Sequence, residues 1–411
     1  REGLALCINH LTEGGVLAAT RGRQLPPRDN VKLFATMCAA LEDLGYADPG
    51  RQMVQLRDHQ AAATLAFRTP VSSERCGLLK SDAARLALDI EWCPCPGVRY
   101  DEQTHQVEGP EGKPYSYFHH AAVQILSERR EPFFRDWIYN VRPATDGRPY
   151  FYDFFRWKSL PRFVESYGHE WLRRLELGYV VLVFALVQAV VVGGVLVLLP
   201  LLRLRRGRGV SGGRAATGAY FLLLGLGYLM LEIVFLLKFT YFLGDPIYAA
   251  AGVIGAFLVF SGLGSASSRR LCSSPQRAIC VAALGIAVMA TLYAAGLDAV
   301  FRTLIGWPLA ARVVASALLT APLAFLMGWP FPNGLTLVQR TNPPLAPWAW
   351  GMNGFASVAA SPLAVIIAIG AGFNTVLLVA SALYVTAAAV SFALREGGAA
   401  GAPATGSVPP T

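Results

Sequence analysis

Residues 220 to 265 read YFLLLGLGYLMLEIVFLLKFTYFLGDPIYAAAGVIGAFLVFSGLGS. Two apolar runs flank the turn Gly244-Asp245-Pro246. At ~1.5 Å per helical residue each run is long enough to cross the ~30 Å hydrocarbon core of a bilayer. A water-soluble domain has no place for so apolar a hairpin. One acid, Glu232, interrupts the first run near its middle. An ionisable side chain at that depth costs ~2.5 kcal/mol or more on insertion scales, which makes it a functional-site candidate. Tyr228 sits one turn earlier on the same face, where it is expected to donate to Glu232. Lys238, six residues on, is expected to snorkel towards the helix end. The competing reading of Glu232 is a protonated acid gluing helices together.

The pattern repeats along the chain. Seven apolar segments are predicted, at 178–202, 217–243, 247–265, 278–297, 312–329, 348–369 and 375–394. Asn333 and Asn353 lie beside proline and glycine breaks and are the polar residues expected to meet Glu232 inside the bundle. Gly262-x-Gly264 mimics a phosphate loop, but no strand precedes it, so helix packing is expected there. Asp245 is expected to be a turn residue. The tail, 396–411, is rich in Gly, Ala and Pro and is expected to be disordered.

The composition agrees with a membrane bundle joined to a soluble part. Of 411 residues, 54% are hydrophobic and 15% charged. The chain has 36 basic and 27 acidic residues; thirteen basic and four acidic lie from Gly178 onward, leaving twenty-three of each before it. The whole excess of +9 is therefore in the membrane half, so it is no nucleic-acid footprint. The seven cysteines form no disulfide framework, and the one close pair, Cys93-Pro94-Cys95, is weak as a metal motif by itself. No metal ligand is assigned from it.

Before the spans, helical and strand patterns alternate. Helices are predicted at 2–11, from about Asp29 to Gly45, and at 72–87; strands at 16–20, 53–56, 62–67 and 90–93. The short uniform run VLAAT is what a strand buried in a parallel sheet looks like. The alternation predicts a Rossmann-like, doubly wound α/β domain over 1–141, incomplete because no G-x-G-x-x-G follows a first strand. Residues 97–120 read as an irregular insertion. His119-His120 is expected at the surface rather than on a metal, since adjacent side chains diverge. Residues 133–157 are dense in aromatics, expected as a membrane-proximal collar, with a lid over a pocket as the sharper alternative. Residues 160–177 read as an amphipathic connector, so that 142–177 joins the α/β domain to the bundle at 178–395.

Topology gives two opposing expectations. Arg203, Arg205, Arg206, Arg208, Arg214, Arg269, Arg270, Arg277 and Arg340 follow the first, third and fifth spans, and the positive-inside rule puts those loops in the cytoplasm. The N-terminal part then lies outside, whereas a domain using a cytosolic cofactor belongs inside. A broken or re-entrant helix at Trp329-Pro-Phe-Pro-Asn-Gly334 would change the count by one.

Three stretches together resemble the bacterial membrane-embedded spermidine synthase-like proteins. The first, Leu11-Thr-Glu-Gly-Gly-Val-Leu17, is similar to the helix end and strand of class I S-adenosylmethionine-dependent domains, with Glu13 for the usual Pro. The second, Ala144-Thr-Asp-Gly-Arg-Pro-Tyr-Phe151, is similar to a closing segment with Gly147 for an Asp. The third is the membrane set Gly227-Tyr-Leu-Met-Leu-Glu-Ile233, Ser261-Gly-Leu-Gly-Ser265, Gly328-Trp-Pro-Phe-Pro-Asn-Gly-Leu335 and Trp350-Gly-Met-Asn-Gly354. The resemblance implies a multi-pass protein of the bacterial inner membrane. It also implies a transferase domain that moves an aminopropyl group from decarboxylated S-adenosylmethionine to a polyamine. The family's cofactor glycines and catalytic acid have no counterpart here. With Arg1-Glu2-Gly3 at its start, the chain is expected to be a C-terminal piece that neither binds the cofactor nor turns over alone. The expected partners are the lipid bilayer and a polyamine or other small cation. The alternative is a transporter or exporter of a cationic or lipid-like solute with a regulatory α/β domain; a purely structural module is the third reading.

Overall fold

The computed structural model describes residues 1–100, 116–167, 177–200 and 213–396. It divides into two compact units, 1–179 and 180–411. The insertion expected at 97–120, the connector at 160–177 and the tail lie wholly or partly outside the described residues.

The first unit opens with α1 (Glu2–Asn9), β1 (Val16–Gly22) and α2 (Asp29–Asp43). Then come β2 (Met53–Arg57), β3 (Ala61–Phe67), α3 (Ser73–Arg85) and β4 (Asp89–Trp92). It closes with the short helices α4 (Tyr117–Ile125), α5 (Arg130–Asp136) and α6 (Leu160–Tyr167). The predicted elements are in place, but the sheet is not the parallel one expected. Its order is β1-β3-β2-β4, and every neighbouring pair is antiparallel. The reason is the link between β2 and β3. Only Asp58, His59 and Gln60 separate them, and the Asp58 carboxylate accepts from the amides of Gln60 and Ala61 at 2.6 Å each. Such a link makes a hairpin; a parallel pair needs a crossover of a dozen residues or more. β1 and β2, joined through α2, do run in the same direction, with β3 reversed between them.

The core of this unit forms around α2. Phe34, Met37, Cys38 and Leu41 are the apolar stripe read from the sequence, and all are buried. The aromatics expected at a membrane collar are put to a different use. Phe133, Phe134, Tyr139 and Phe154 bury against α2 in this core, while Tyr152 and Trp157 stay exposed. Burying rings this large contributes ~2 kcal/mol or more apiece.

The second unit is helical. α7 (Leu177–Gly193) leads into it and runs on through a π-helical turn, Gly194–Leu198. There follow α8 (Arg214–Leu243), α9 (Pro246–Leu271), α10 (Pro275–Leu304) and α11 (Leu309–Met327). The last three are α12 (Pro330–Thr341), α13 (Ala346–Ala371) and α14 (Phe373–Glu396). Among the described residues, seven stretches are long and apolar enough to cross a bilayer, with α11 and α12 counted as one, Leu309–Thr341. The protein is an integral membrane protein by this criterion. The break at Gly328-Trp329 bends one span and adds none.

Local chemistry sets the joints. Gly244 (φ +75°) ends α8 in the left-handed region, and Asp245 caps α9 by accepting from the amides of Ile247 and Tyr248 at 2.7 and 3.3 Å. Asp245 is thus the turn residue expected. Elsewhere glycines let backbones touch. A Cβ on Gly264 of α9 would sit 2.0 Å from the Phe325 carbonyl oxygen, and one on Gly328 would sit 2.0 Å from that of Ser261. Gly264 is therefore a packing glycine, as expected from its context, and no phosphate loop.

Candidate functional site

The bundle holds a cavity of about 420 Å³. Its walls include Tyr228 of α8, Ser261 of α9, Phe331 of α12, Trp350 and Asn353 of α13 and Tyr384 of α14. Met327, Gly328 and Pro330 line it at the bend between α11 and α12. Leu258 and Trp350 in its lining are 66% and 61% exposed, so it opens at the surface of the bundle.

Three features describe its chemistry. Among the described residues, no Lys, Arg, Asp or Glu lines it. Four aromatic rings do, and Phe331 and Trp350 meet at 4.7 Å between centroids. Ring faces of this kind attract cations. Finally, α11 ends here. Pro332 has no N–H to return to the carbonyl of Gly328, and Pro330 has none for that of Leu326, which Trp329 takes at 3.1 Å. The carbonyl end of α11 carries about half a negative charge, set against the amide end of α12 that begins at Pro330. In broken transporter helices such ends coordinate cations.

The sequence-derived residues fall in different places. Tyr228 and Asn353 line the cavity. Tyr228 does not pair with Glu232 as expected; its hydroxyl shares a 3.4 Å hydrogen bond with the hydroxyl of Ser261. Glu232 lies one turn further along α8, half-buried and outside the lining. Among the described residues, none gives Glu232 a hydrogen bond or an ion pair. Asn333 is buried and donates to the carbonyl of Trp329 at 2.8 Å; it does not reach Glu232.

Lys238 corrects a further expectation. It does not snorkel: it is 4% exposed and holds Asp298 of α10 at 2.6 Å. Asp298 drew no attention in the sequence, because nothing in a linear reading links residues sixty positions apart. Along α8 the order is thus Tyr228 at the cavity, Glu232 near mid-helix and Lys238 beyond it. Arg312 closes the series by donating to the carbonyl of Phe242 at 2.8 Å.

The first unit holds a second polar cluster that sequence reasoning missed. Arg57 of β2 lies between Asp89 (3.0 Å) and Glu91 of β4, all three buried. The Ser116 hydroxyl donates to Glu91, and the His119 ring bonds the Glu91 carbonyl at 2.9 Å. His119 also stacks on Tyr100 at 3.7 Å. Its neighbour His120 points elsewhere, to the edge of Phe133. Burial, and secondarily the charge of His119, hold the His120 imidazole below the usual histidine value.

The residues present do not fit the cofactor that the resemblance implies. After β1 the chain enters α2 through Arg28 and Asp29, which pair with each other at 3.3 Å, and α2 has no side-chain cap. After β2 it turns straight into β3. Neither junction offers a glycine cradle opening onto a helix. No family profile, curated protein or solved structure matches the chain.

Proposed function

We propose that the bundle carries a small cationic, partly apolar solute through its lipid-open cavity, making this a transporter or exporter. The observation that carries the reading is the lining: aromatic faces and a helix carbonyl end, with no positive side chain. Such walls favour an organic cation over an anion. The mouth at Leu258 and Trp350 suits a solute that arrives from the membrane. Glu232, one turn from Tyr228, is the carboxylate such a cation would meet next, and proton exchange at that acid would couple its release. An odd number of spans leaves the chain ends on opposite sides of the bilayer. The arginine loops then favour an N-terminal part away from the cytosol, where a cytosolic cofactor is not supplied.

The test is uptake of labelled spermidine and of a monoalkyl amine into proteoliposomes holding the full chain. Glu232→Gln and Trp350→Ala are each expected to reduce the flux at least about tenfold, while the protein stays folded in detergent. Unchanged flux in both variants, or none in the native protein with either solute, sinks the reading.

A membrane-anchored, spermidine synthase-like transferase is the second reading. Its support is the pair β1 and β2, which run parallel and are joined by a helix. Under this reading aminopropyl transfer by a longer form of the protein would survive Glu232→Gln.

A further inference from the structure

Three buried cysteines converge in the first unit, far apart from the polar cluster's ion pairs in chemistry. Cys76 lies in the first turn of α3; Cys93 and Cys95 follow β4 in the turn Trp92-Cys-Pro-Cys-Pro96. Their sulfurs all lie within 4.8 Å of one another. Their exposures are 6%, 4% and 6%. The sulfur of Cys95 is in bonding contact with both Cys76 and Cys93. A sulfur forms one disulfide at a time, so Cys95 can bridge only one of the two. Any one disulfide would leave the third thiol buried in an apolar shell of Val54, Phe67, Leu79 and Ile90.

The surroundings suit anionic sulfur. Lys80, one turn beyond Cys76 on the same helix face, donates to the carbonyl of Pro96. This anchors its ammonium beside the turn that carries both other cysteines, and a nearby cation favours thiolate over thiol.

We propose that Cys76, Cys93 and Cys95 bind one zinc ion as thiolates. Binding displaces three thiol protons and forms three Zn–S bonds, leaving a site of net charge −1 next to Lys80. Soft sulfur donors select zinc over magnesium or calcium. Three protein ligands leave a fourth tetrahedral position for water or an incoming thiol, the arrangement of an exchangeable or reactive zinc. The proposal uses no residue of the transport cavity.

The experiment uses the full chain purified in detergent under anaerobic conditions. Elemental analysis is expected to give about one zinc ion per chain. Cobalt supplied in its place is expected to give a near-ultraviolet thiolate-to-cobalt band. Cys76→Ser and the double change Cys93→Ser, Cys95→Ser are expected to bring metal and band to background. Because these variants can misfold, the native protein is also alkylated, with and without a chelator. Three further cysteines are expected to react once zinc is withdrawn. No zinc in the isolated protein, and none taken up by the reduced protein, overturns the proposal. So does a disulfide joining Cys95 to Cys76 or Cys93 in the anaerobic preparation.

Discussion

Each unit of this chain buries a cation against acid, and the two arrangements differ. In the first unit Arg57 serves two carboxylates, and the side chains of Arg57, Asp89 and Glu91 are 1%, 2% and 0% exposed. In the bundle Lys238 is 3% exposed, but its partner Asp298 is 43% exposed. The first group is sealed on all sides by strands and by α4. The second keeps one member at an opening. Desolvating a charge costs several kcal/mol, so a sealed group is static: no partner can leave without stranding another. A half-open pair can exchange its partner for water or a passing ion at much lower cost. The difference separates a sealed element of the fold from one with an exposed member.

Breaking the sealed group should produce the largest effect. Arg57→Met leaves two buried carboxylates and is expected to cost about 3–5 kcal/mol, seen as loss of protease resistance in the first unit. Adding Asp89→Leu and Glu91→Leu should restore most of it. Equal resistance of Arg57→Met and the native protein would mean that the group is not sealed.

The steric counterpart in the bundle comes next. Gly264→Leu pushes a side chain into the backbone of α11, since even a Cβ there meets the Phe325 carbonyl oxygen at 2.0 Å. Overpacking of that kind is expected to cost about 3 kcal/mol, read as a lower melting temperature in detergent. If the melt is unchanged, α9 and α11 do not touch through backbone.

Asp298→Asn should cost less, about 1.5–3 kcal/mol, the worth of a hydrogen bond to a charged group. The exchange Lys238→Asp with Asp298→Lys should recover it. Failure of the exchange, with the single change already neutral, would remove the half-open pair from the comparison.

The smallest effect is electrostatic and pH-dependent. His120 is held below the usual histidine value, chiefly by burial. A lowered value in the folded state means that its contribution is present above the unfolded value of about 6.5 and fades as pH falls through the folded one. Protection of the α4 amides, relative to their intrinsic exchange rate at each pH, is therefore expected to fall between about pH 7 and 5, and less so in His120→Phe. The same loss of protection in both would assign the acid sensitivity to another group.

What could be read from sequence follows from the range of the interactions. The seven spans, the stripe on α2 and the Asp245 cap rest on neighbours within a turn or two, and periodicity and length exposed them. Tyr228 and Glu232 share a helix face, but spacing cannot say that Ser261 of another helix takes the hydroxyl. Asp298 and Cys76 became meaningful only through partners sixty and nineteen positions away. The antiparallel sheet was within reach: three residues between two strands exclude a crossover, and Asp58 is the turn former that closes the hairpin. Phe134 and Phe154 looked like interface aromatics because composition carries no depth.

The turn at Gly244-Asp245-Pro246 has a consequence for how the protein is made. It satisfies the ends of both its helices from its own three residues, with a left-handed glycine, a capping carboxylate and a proline that lacks the N–H it would otherwise leave unpaired. Nothing synthesised later is needed to finish it. As the ribosome extends past Ser265, α8 and the apolar part of α9 are already a closed unit that the insertion machinery can release sideways in one step. The stretch that defines the bundle is then also its seed, in the bilayer before Asp298 of α10, the partner of Lys238, exists.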